Sequence, residues 1–454
     1  MHYKRFWVFP YAKLRSLSLI KYFTGLILLA GAIVSGQSTG VQSSFSPIEV
    51  LNRQLPSWVR FSLEERVREE SFTALAFQSN NDDTYVLQRF RPGLLLLATP
   101  WLRFRFQAQD ARVFFKTQKP YAPPYQDTWD LRMAYVELGN SEKGFALRVG
   151  RQEINIGDER LVGSTNWSNT ARTFEAARAS YRNSRFRVDA FASSVVVLKD
   201  GQLGEHAPGS NLHGVFAGLE NVVPKSTFEP YVLWRLSPRV KAELGPTGTL
   251  NFFTSGFRWV GKLPENFDYA VEVAIQRGSL GPDKVQAWAG HWVTGYNLPD
   301  IRFKPRLFLE YNYATGDGNP RDGHRHTFDQ LYPTGHDKYG LADQVGWKNI
   351  EHLRAAAEFK FTQKLGGAVK WNAYWLADPK DALYNTTSTA VARQADGSAG
   401  KFVGTELDAT GLYSFTKAIQ AGSGVGHIFP GMFLQRTTPH RSLTFQYLFV
   451  ETRF

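Results

Sequence analysis

The sequence predicts an all-β chain: a transmembrane antiparallel β-barrel of about 18 strands, delivered to the outer membrane behind a cleaved signal peptide. Three features predict it. The N-terminus is basic and then apolar, polar and apolar residues alternate one for one along many segments, and the links between those segments run mostly short and long by turns.

The leader comes first. Lys4, Arg5, Lys13, Arg15 and Lys21 stand in the first 21 residues with no acid among them, and an apolar stretch from Tyr22 to Val34 gives way to Ser35 and Gly36. A basic region, a short apolar region and a small-residue exit are the layout of a secretory signal peptide. The rival is a membrane anchor, but the 13 residues of that stretch fall short of the ~20 a spanning helix needs. The chain therefore divides into a signal peptide at 1–36, a periplasmic lead-in at 37–57 and a barrel at 58–454. Losing five basic residues and no acid takes the net charge from +12 to +7. Cysteine is absent, so neither a disulfide nor a thiolate metal site is available, which suits an oxidising periplasm. After the leader the longest apolar run is Leu94 to Ala98, far too short for a membrane helix.

Period-two alternation is the second feature. In 101–110, Leu102, Phe104, Phe106 and Ala108 oppose Arg103, Arg105, Gln107 and Gln109; in 58–67, Val59, Phe61, Leu63 and Val67 oppose Arg60, Ser62, Glu64 and Arg66. Residues 304–315 and 350–362 repeat the scheme. Strands are expected at 58–67, 83–97, 101–110, 129–138, 145–154, 172–182, 186–197, 214–221 and 228–236. The second half adds 249–260, 267–277, 284–295, 304–315, 350–362, 366–377, 402–415, 418–427 and 441–454. Most of these approach the ~9–11 residues of a tilted membrane strand.

A soluble sandwich also alternates, and the links decide between them. Long links (68–82, 111–128, 155–171, 198–213, 316–349, 378–401, 428–440) interleave with short ones (98–100, 139–144, 183–185, 222–227, 363–365, 416–417), and 278–283 alone is short where a long one is due. Short periplasmic turns and longer external loops give this rhythm in bacterial barrels. The last strand closes on Phe454, a terminal aromatic of the kind the barrel insertion machinery reads.

Two blocks carry a family resemblance. The first is Leu147-Arg148-Val149-Gly150-Arg151-Gln152-Glu153 with Gly157-Asp158 and Arg160-Leu161-Val162-Gly163, continued by Asn166-Trp167-Ser168-Asn169 and Arg172-Thr173-Phe174-Glu175. The second is Thr327-Phe328-Asp329-Gln330-Leu331-Tyr332-Pro333-Thr334, then His336, Lys338-Tyr339-Gly340, Asp343 and Gly346-Trp347-Lys348-Asn349. Together they resemble the alginate-export family, over about residues 55–454. The resemblance implies an 18-stranded monomeric barrel with an arginine-rich lumen that passes an anionic polyuronate. It also implies a long periplasmic turn between strands 16 and 17 that plugs the pore. Here that link is only Thr416-Lys417, so gating falls to the external loops.

If the polar face of each strand turns inward, the lumen gathers Arg60, Arg66, Arg89, Arg91, Arg103, Arg105, Arg148, Arg178, Arg187, Arg306, Arg354, Lys360 and Arg453. The acids Glu64, Glu137, Asp189, Glu272, Glu310, Glu358, Glu406 and Glu451 join them. The residues expected to line the pore and bind substrate are Arg60, Arg89, Arg91, Arg103, Arg105, Arg148, Arg151, Arg160, Arg178, Arg306, Arg354 and Lys360. Arginine suits carboxylates because its planar fork bonds both oxygens, and a ring of such charges selects anions. Arg151 and Glu153 share the parity of Leu147 and Val149, so either a bulge turns them inward or they stand at the base of a loop.

The expected function is an outer-membrane channel for an anionic sugar polymer, with lipid and that polymer as partners and the chain acting as a monomer. A general porin for small anions and a barrel that anchors or adheres through its loops are the alternatives. No cofactor is expected. His324, His326 and His336 with Asp317, Asp322, Asp329 and Asp337 read as a turn-rich loop, with a weak calcium site as the exception. No hydrolase elbow, phosphate loop, zinc helix or dinucleotide fingerprint appears, so an enzyme is not expected. Basic residues interleaved with apolar ones do not make a nucleic-acid patch.

Overall fold

The computed structural model describes residues 47–119, 121–241 and 247–454. The expected signal peptide at 1–36 and the first part of the lead-in lie outside them. A short helix, α1 (Pro47–Gln54), leads into the first strand. Among the described residues, eighteen long strands follow in one closed sheet, to which the two-residue strand His324–Arg325 adds in parallel. They are β1 Val59–Thr73, β2 Asp83–Thr99, β3 Leu102–Phe114, β4 Asp127–Gly139, β5 Gly144–Gln152, β6 Phe174–Arg182, β7 Phe186–Lys199, β8 Gln202–Glu220 and β9 Ser226–Lys241. The second half holds β10 Thr247–Lys262, β11 Phe267–Leu280, β12 Asp283–Asn297, β13 Arg306–Ala314, β14 Ile350–Lys360, β15 Leu365–Trp375, β16 Phe402–Ser414, β17 Ile419–Pro430 and β18 Leu443–Arg453.

Each strand pairs antiparallel with the next, and β18 returns to β1 in a register running from Glu64↔Arg453 to Thr73↔Thr444. Closure leaves no unpaired edge, the condition a sheet must meet in hydrocarbon. The alternation then sorts side chains by solvent. Phe61, Phe106, Leu309, Val369 and Val425 are exposed on the outer face, whereas Arg66, Arg89, Glu310 and Glu406 are buried on the inner one, the reverse of a globular sheet. Trp58, Trp101, Phe145, Phe186, Phe267 and Phe415 cluster at the short-turn ends as an aromatic girdle.

All eighteen expected strands are present, with two notable departures at the long-link end, which in such barrels faces outside. The expected loop 198–213 is a hairpin, its strands running on to Lys199 and from Gln202. The turn formers of 207–210 sit in a bulge instead: the register jumps between Ser194↔Asn211 and Val196↔His206, and Gly209 takes φ +75°. The second departure is inside the barrel. Links 153–173 and 315–349 fold back into the lumen, joined by a parallel bridge Val162↔Tyr332. Ile154, Ile156, Leu161, Phe328, Leu331 and Trp347 from these links pack with inward-facing Phe216, Leu233, Phe252 and Val285 in one apolar core. That half of the barrel is thus filled by protein and not by a plain water column. The β16–β17 link is only residues 415–418, and the links that enter the lumen, 153–173 and 315–349, come from the opposite, long-link end.

Candidate functional site

Near the short-turn ends the inner wall is a water-facing vestibule. Arg103 and Arg148 share Glu137, at 3.6 and 2.5 Å. Arg178 pairs with Asp189 at 2.9 Å, Arg187 and Arg258 grip Glu229 from either side, and Arg306 takes both oxygens of Asp268 at 2.6 and 2.9 Å. These six arginine side chains keep between 21% and 30% of their exposure, while Glu137 and Glu229 keep only 3%. Glu137 and Glu229 lie against the wall with guanidinium groups in front of them, whereas Asp268 and Glu358, which share Arg306, are as open to the lumen as the arginine or more so. Arg60 donates only to the Pro56 and Val59 carbonyls and Arg105 only to Ser62 Oγ, so among the described residues neither meets a carboxylate. Lys360 is exposed at the end of β14.

Higher up, Arg66 and Arg68 on β1, Arg89 and Arg91 on β2 and Arg132 on β4 converge and are buried. Glu64 accepts from Arg89 at 2.5 Å and Arg91 at 3.2 Å, Glu70 pairs with Arg68 at 2.7 Å, and Glu153 pairs with Arg132. What buries them is the tip of link 153–173. The Asn166 carbonyl accepts from Arg66 and Arg89 at 3.0 and 2.7 Å, the Trp167 carbonyl from Arg66 and Arg68 at 2.8 and 2.6 Å, and the Ser168 carbonyl from Arg66 and Arg89 at 3.2 and 3.0 Å. Carbonyl dipoles aimed at guanidinium groups make burying so much charge tolerable. The satisfaction is incomplete: among the described residues, Nε of Arg66, Arg68, Arg89 and Arg132 and Nη2 of Arg91 have no hydrogen-bond partner.

On the opposite wall Arg160, from the inserted link, and Arg354 clamp Glu310 at 3.0 and 3.1 Å, beside Asn312, His291 and His352. Other ion pairs tie the inserted links together and to the wall: Asp158–Lys338 at 2.8 Å, Asp337–Lys370 and Asp329–Arg235. Burial raises the carboxyls of Asp158, Asp337 and Asp329, but Arg160 and Lys338, Lys370 and Arg354, and Arg235 and Arg325 respectively outweigh it and hold them below the ordinary aspartate value. The histidines and aspartates of 316–349 are engaged separately: Asp317 accepts the His326 and Asn319 amides, Asp322 the His324 amide, and His336 meets Asp343 at 2.8 Å. No group of three or more such side chains gathers as a cation cage among the described residues.

The structure thus splits the twelve expected lining residues. Arg60, Arg103, Arg105, Arg148, Arg178, Arg306 and Lys360 stand on the vestibule face, and Arg89, Arg91, Arg160 and Arg354 are packed beneath the inserted links. Arg151 joins neither group. It lies in register with Ala134 and Glu175 on the outer face, bonded to Glu175 and to the Leu131 and Gly204 carbonyls. Glu153, past the end of β5, does turn inward to Arg132 and Asn166. Sequence reasoning missed Arg68, Arg132, Arg235 and Arg258. Arg258 was legible, since Phe257 and Trp259 flank it with outward parity; Arg132 was not, because a bulge between Gln107 and Ala108 resets the register of β4.

Solved structures place the fold among outer-membrane porins. The barrel superposes on Pseudomonas aeruginosa OccK5 (OpdH) with a TM-score of 0.58 at 10% identity, covering 88% of this chain and 98% of that one. Acinetobacter baumannii OccAB2 gives 0.58 at 10% identity over 87% and 98%. Pseudomonas aeruginosa OpdK, solved with vanillate, gives 0.58 at 10% identity over 87% and 98%. No curated protein matches the sequence. The fold and family are those of transport porins. The model of the family described as alginate export matches residues 57–447, and the chain is a member of that outer-membrane family.

Proposed function

We propose that the barrel conducts an anionic sugar polymer or oligomer of the polyuronate type across the outer membrane, passively, by handing carboxylates from one arginine to the next. The observation that carries this reading is the vestibule wall, where Glu137 and Glu229 are set back behind partly exposed guanidinium groups and Arg60 and Arg105 meet no acid among the described residues. Neighbouring acids keep binding weak enough for the chain to move on, as conduction requires. Membership of the alginate export family supports a polymer as cargo. The molecule works as a monomer in lipid, without cofactor or nucleic acid.

The fold likeness to a porin solved with vanillate favours a second reading, a channel for small organic anions. Planar-bilayer conductance separates the two. A polymer that meets several arginines at once gains avidity, so polyuronate should block current at a uronate concentration on the order of 10²-fold below that of the monomer. Equal block by monomer and polymer per carboxylate would favour the small-anion channel.

A further inference from the structure

One strip of the inner wall differs in chemistry from the vestibule. Phe445, Tyr447 and Phe449 follow one another on the inward face of β18, opposite Phe72, Glu70 and Arg68 of β1. Two of the rings lie flat because β17 offers no side chains beneath them. A Cβ at Gly422 would come within 2.5 Å of the Phe449 ring, and one at Gly424 within 2.5 Å of the Tyr447 ring. Tyr447 and Phe449 are stacked, with centroids 6.2 Å apart and an interplanar angle of 20°. A row of flat aromatic surfaces therefore runs beside the arginines of β1 and β2. Aromatic faces receive the apolar face of a pyranose ring, while guanidinium forks receive its carboxylate.

The tip Asn166–Trp167–Ser168 fills that strip with both chemistries. Its indole stacks on His336 at 3.7 Å and 5°, meets the Tyr447 ring at 4.7 Å, and has the Arg68 guanidinium 3.8 Å from its centroid. Its three carbonyls take Arg66, Arg68 and Arg89, where carboxylate oxygens would otherwise bind. Arg66 has no acid within ion-pair distance among the described residues; its hydrogen bonds go to the tip alone. A flat ring against aromatics and oxygens on arginines are the two features of a uronate residue.

We propose that this strip is a pyranuronate subsite of the channel and that Asn166–Trp167–Ser168 is its built-in occupant, a stand-in that the polymer must displace to pass. The inference rests on the polyuronate reading above and adds the aromatic rail and the internal competitor. Competition sets the observable. An occupied subsite weakens apparent binding by the fraction of time it is free, so emptying it strengthens binding by the same factor.

The test uses the full-length barrel in lipid bilayers. Trp167→Ala should raise single-channel conductance and lower the half-blocking concentration of alginate oligomers by about tenfold, the effect of removing ~1.4 kcal/mol of competing contact. Adding Tyr447→Ala and Phe449→Ala to the Trp167→Ala channel should raise that concentration again, because the competitor is already gone and only the rings that receive the sugar are lost. Because the chain has no cysteine, Ser168→Cys can report displacement with the indole intact: a water-soluble thiol reagent should label the new thiol faster when oligomer is added. Block of the native channel with no change in Trp167→Ala, or slower thiol labelling of the Ser168→Cys variant under oligomer, overturns the stand-in. If anion current persists and neither protein is blocked by oligomer, the polyuronate reading itself has failed.

Discussion

Arg89→Met probes the junction between wall and inserted link most sharply. The guanidinium of Arg89 has no exposed surface, donates to the Asn166 and Ser168 carbonyls at 2.7 and 3.0 Å, and pairs with Glu64 and Glu451 at 2.5 and 3.4 Å. Hydrogen bonds from a charged donor contribute about 1.5–3 kcal/mol each, and breaking a buried pair costs about 3–5 kcal/mol. The acids left behind are not stranded: Glu64 keeps Arg91 at 3.2 Å, and Glu451 keeps Arg453 at 2.8 Å and Gln420 at 2.7 Å. The loss is therefore expected at the lower end, about 3 kcal/mol. Urea unfolding in phospholipid vesicles, followed by tryptophan fluorescence at neutral pH, measures it. A loss below about 1 kcal/mol would refute the reasoning, because it would mean that the carbonyls and acids around Arg89 are satisfied without it.

Three further outcomes are expected. Replacing Arg103 and Arg105 together by alanine should lower the chloride-to-potassium permeability ratio; an unchanged ratio would remove them from the conducting wall. The inserted links should stay closed in mild acid. Asp158, Asp329 and Asp337 are held below the ordinary aspartate value, so their contribution is fully present above that value and is lost only as the pH falls through their lowered values. Single-channel conductance should accordingly be constant from neutrality to about pH 4 and rise below it, whereas a rise already near pH 6 would contradict the assignment of these pairs as the clasp. Gly150→Ala should reduce the yield of folded barrel, by the equivalent of about 1–3 kcal/mol. Its φ is +122° and an added Cβ would fall 2.3 Å from the Ala134 carbonyl oxygen, as refolding yields in detergent would register.

The barrel was legible because membrane and lumen impose opposite solvents on alternate residues. The segment Leu102 to Gln109 shows its two faces without any tertiary information, and the alternation of links supplies the orientation. Strand ends were less legible. The first strand runs on to Thr73, past an expected end at 67, and hides Arg68, because Glu65 and Glu69 stand on its outer face and break the pattern. What period two cannot show is a loop that returns to the lumen. Leu212, Leu233, Leu250 and Phe252 are inward and apolar because they pack on 153–173 and 315–349, contacts between segments distant in sequence. For the same reason the role of Trp167 was unreadable: its partners Arg68, His336 and Tyr447 lie far from it along the chain. The brevity of the link at 415–418 was visible in the sequence itself, and the links that enter the lumen come from the other end of the barrel.

The reversal potential of the native channel under a potassium chloride gradient tests the central claim with no variant and no knowledge of the cargo. A wall on which arginines stand forward of Glu137 and Glu229, with Arg60 and Arg105 meeting no acid among the described residues, predicts a potential on the chloride side of zero, shrinking as ionic strength rises and screening shortens. A potential on the potassium side would contradict the account, since the wall facing the permeating ions would then be acidic.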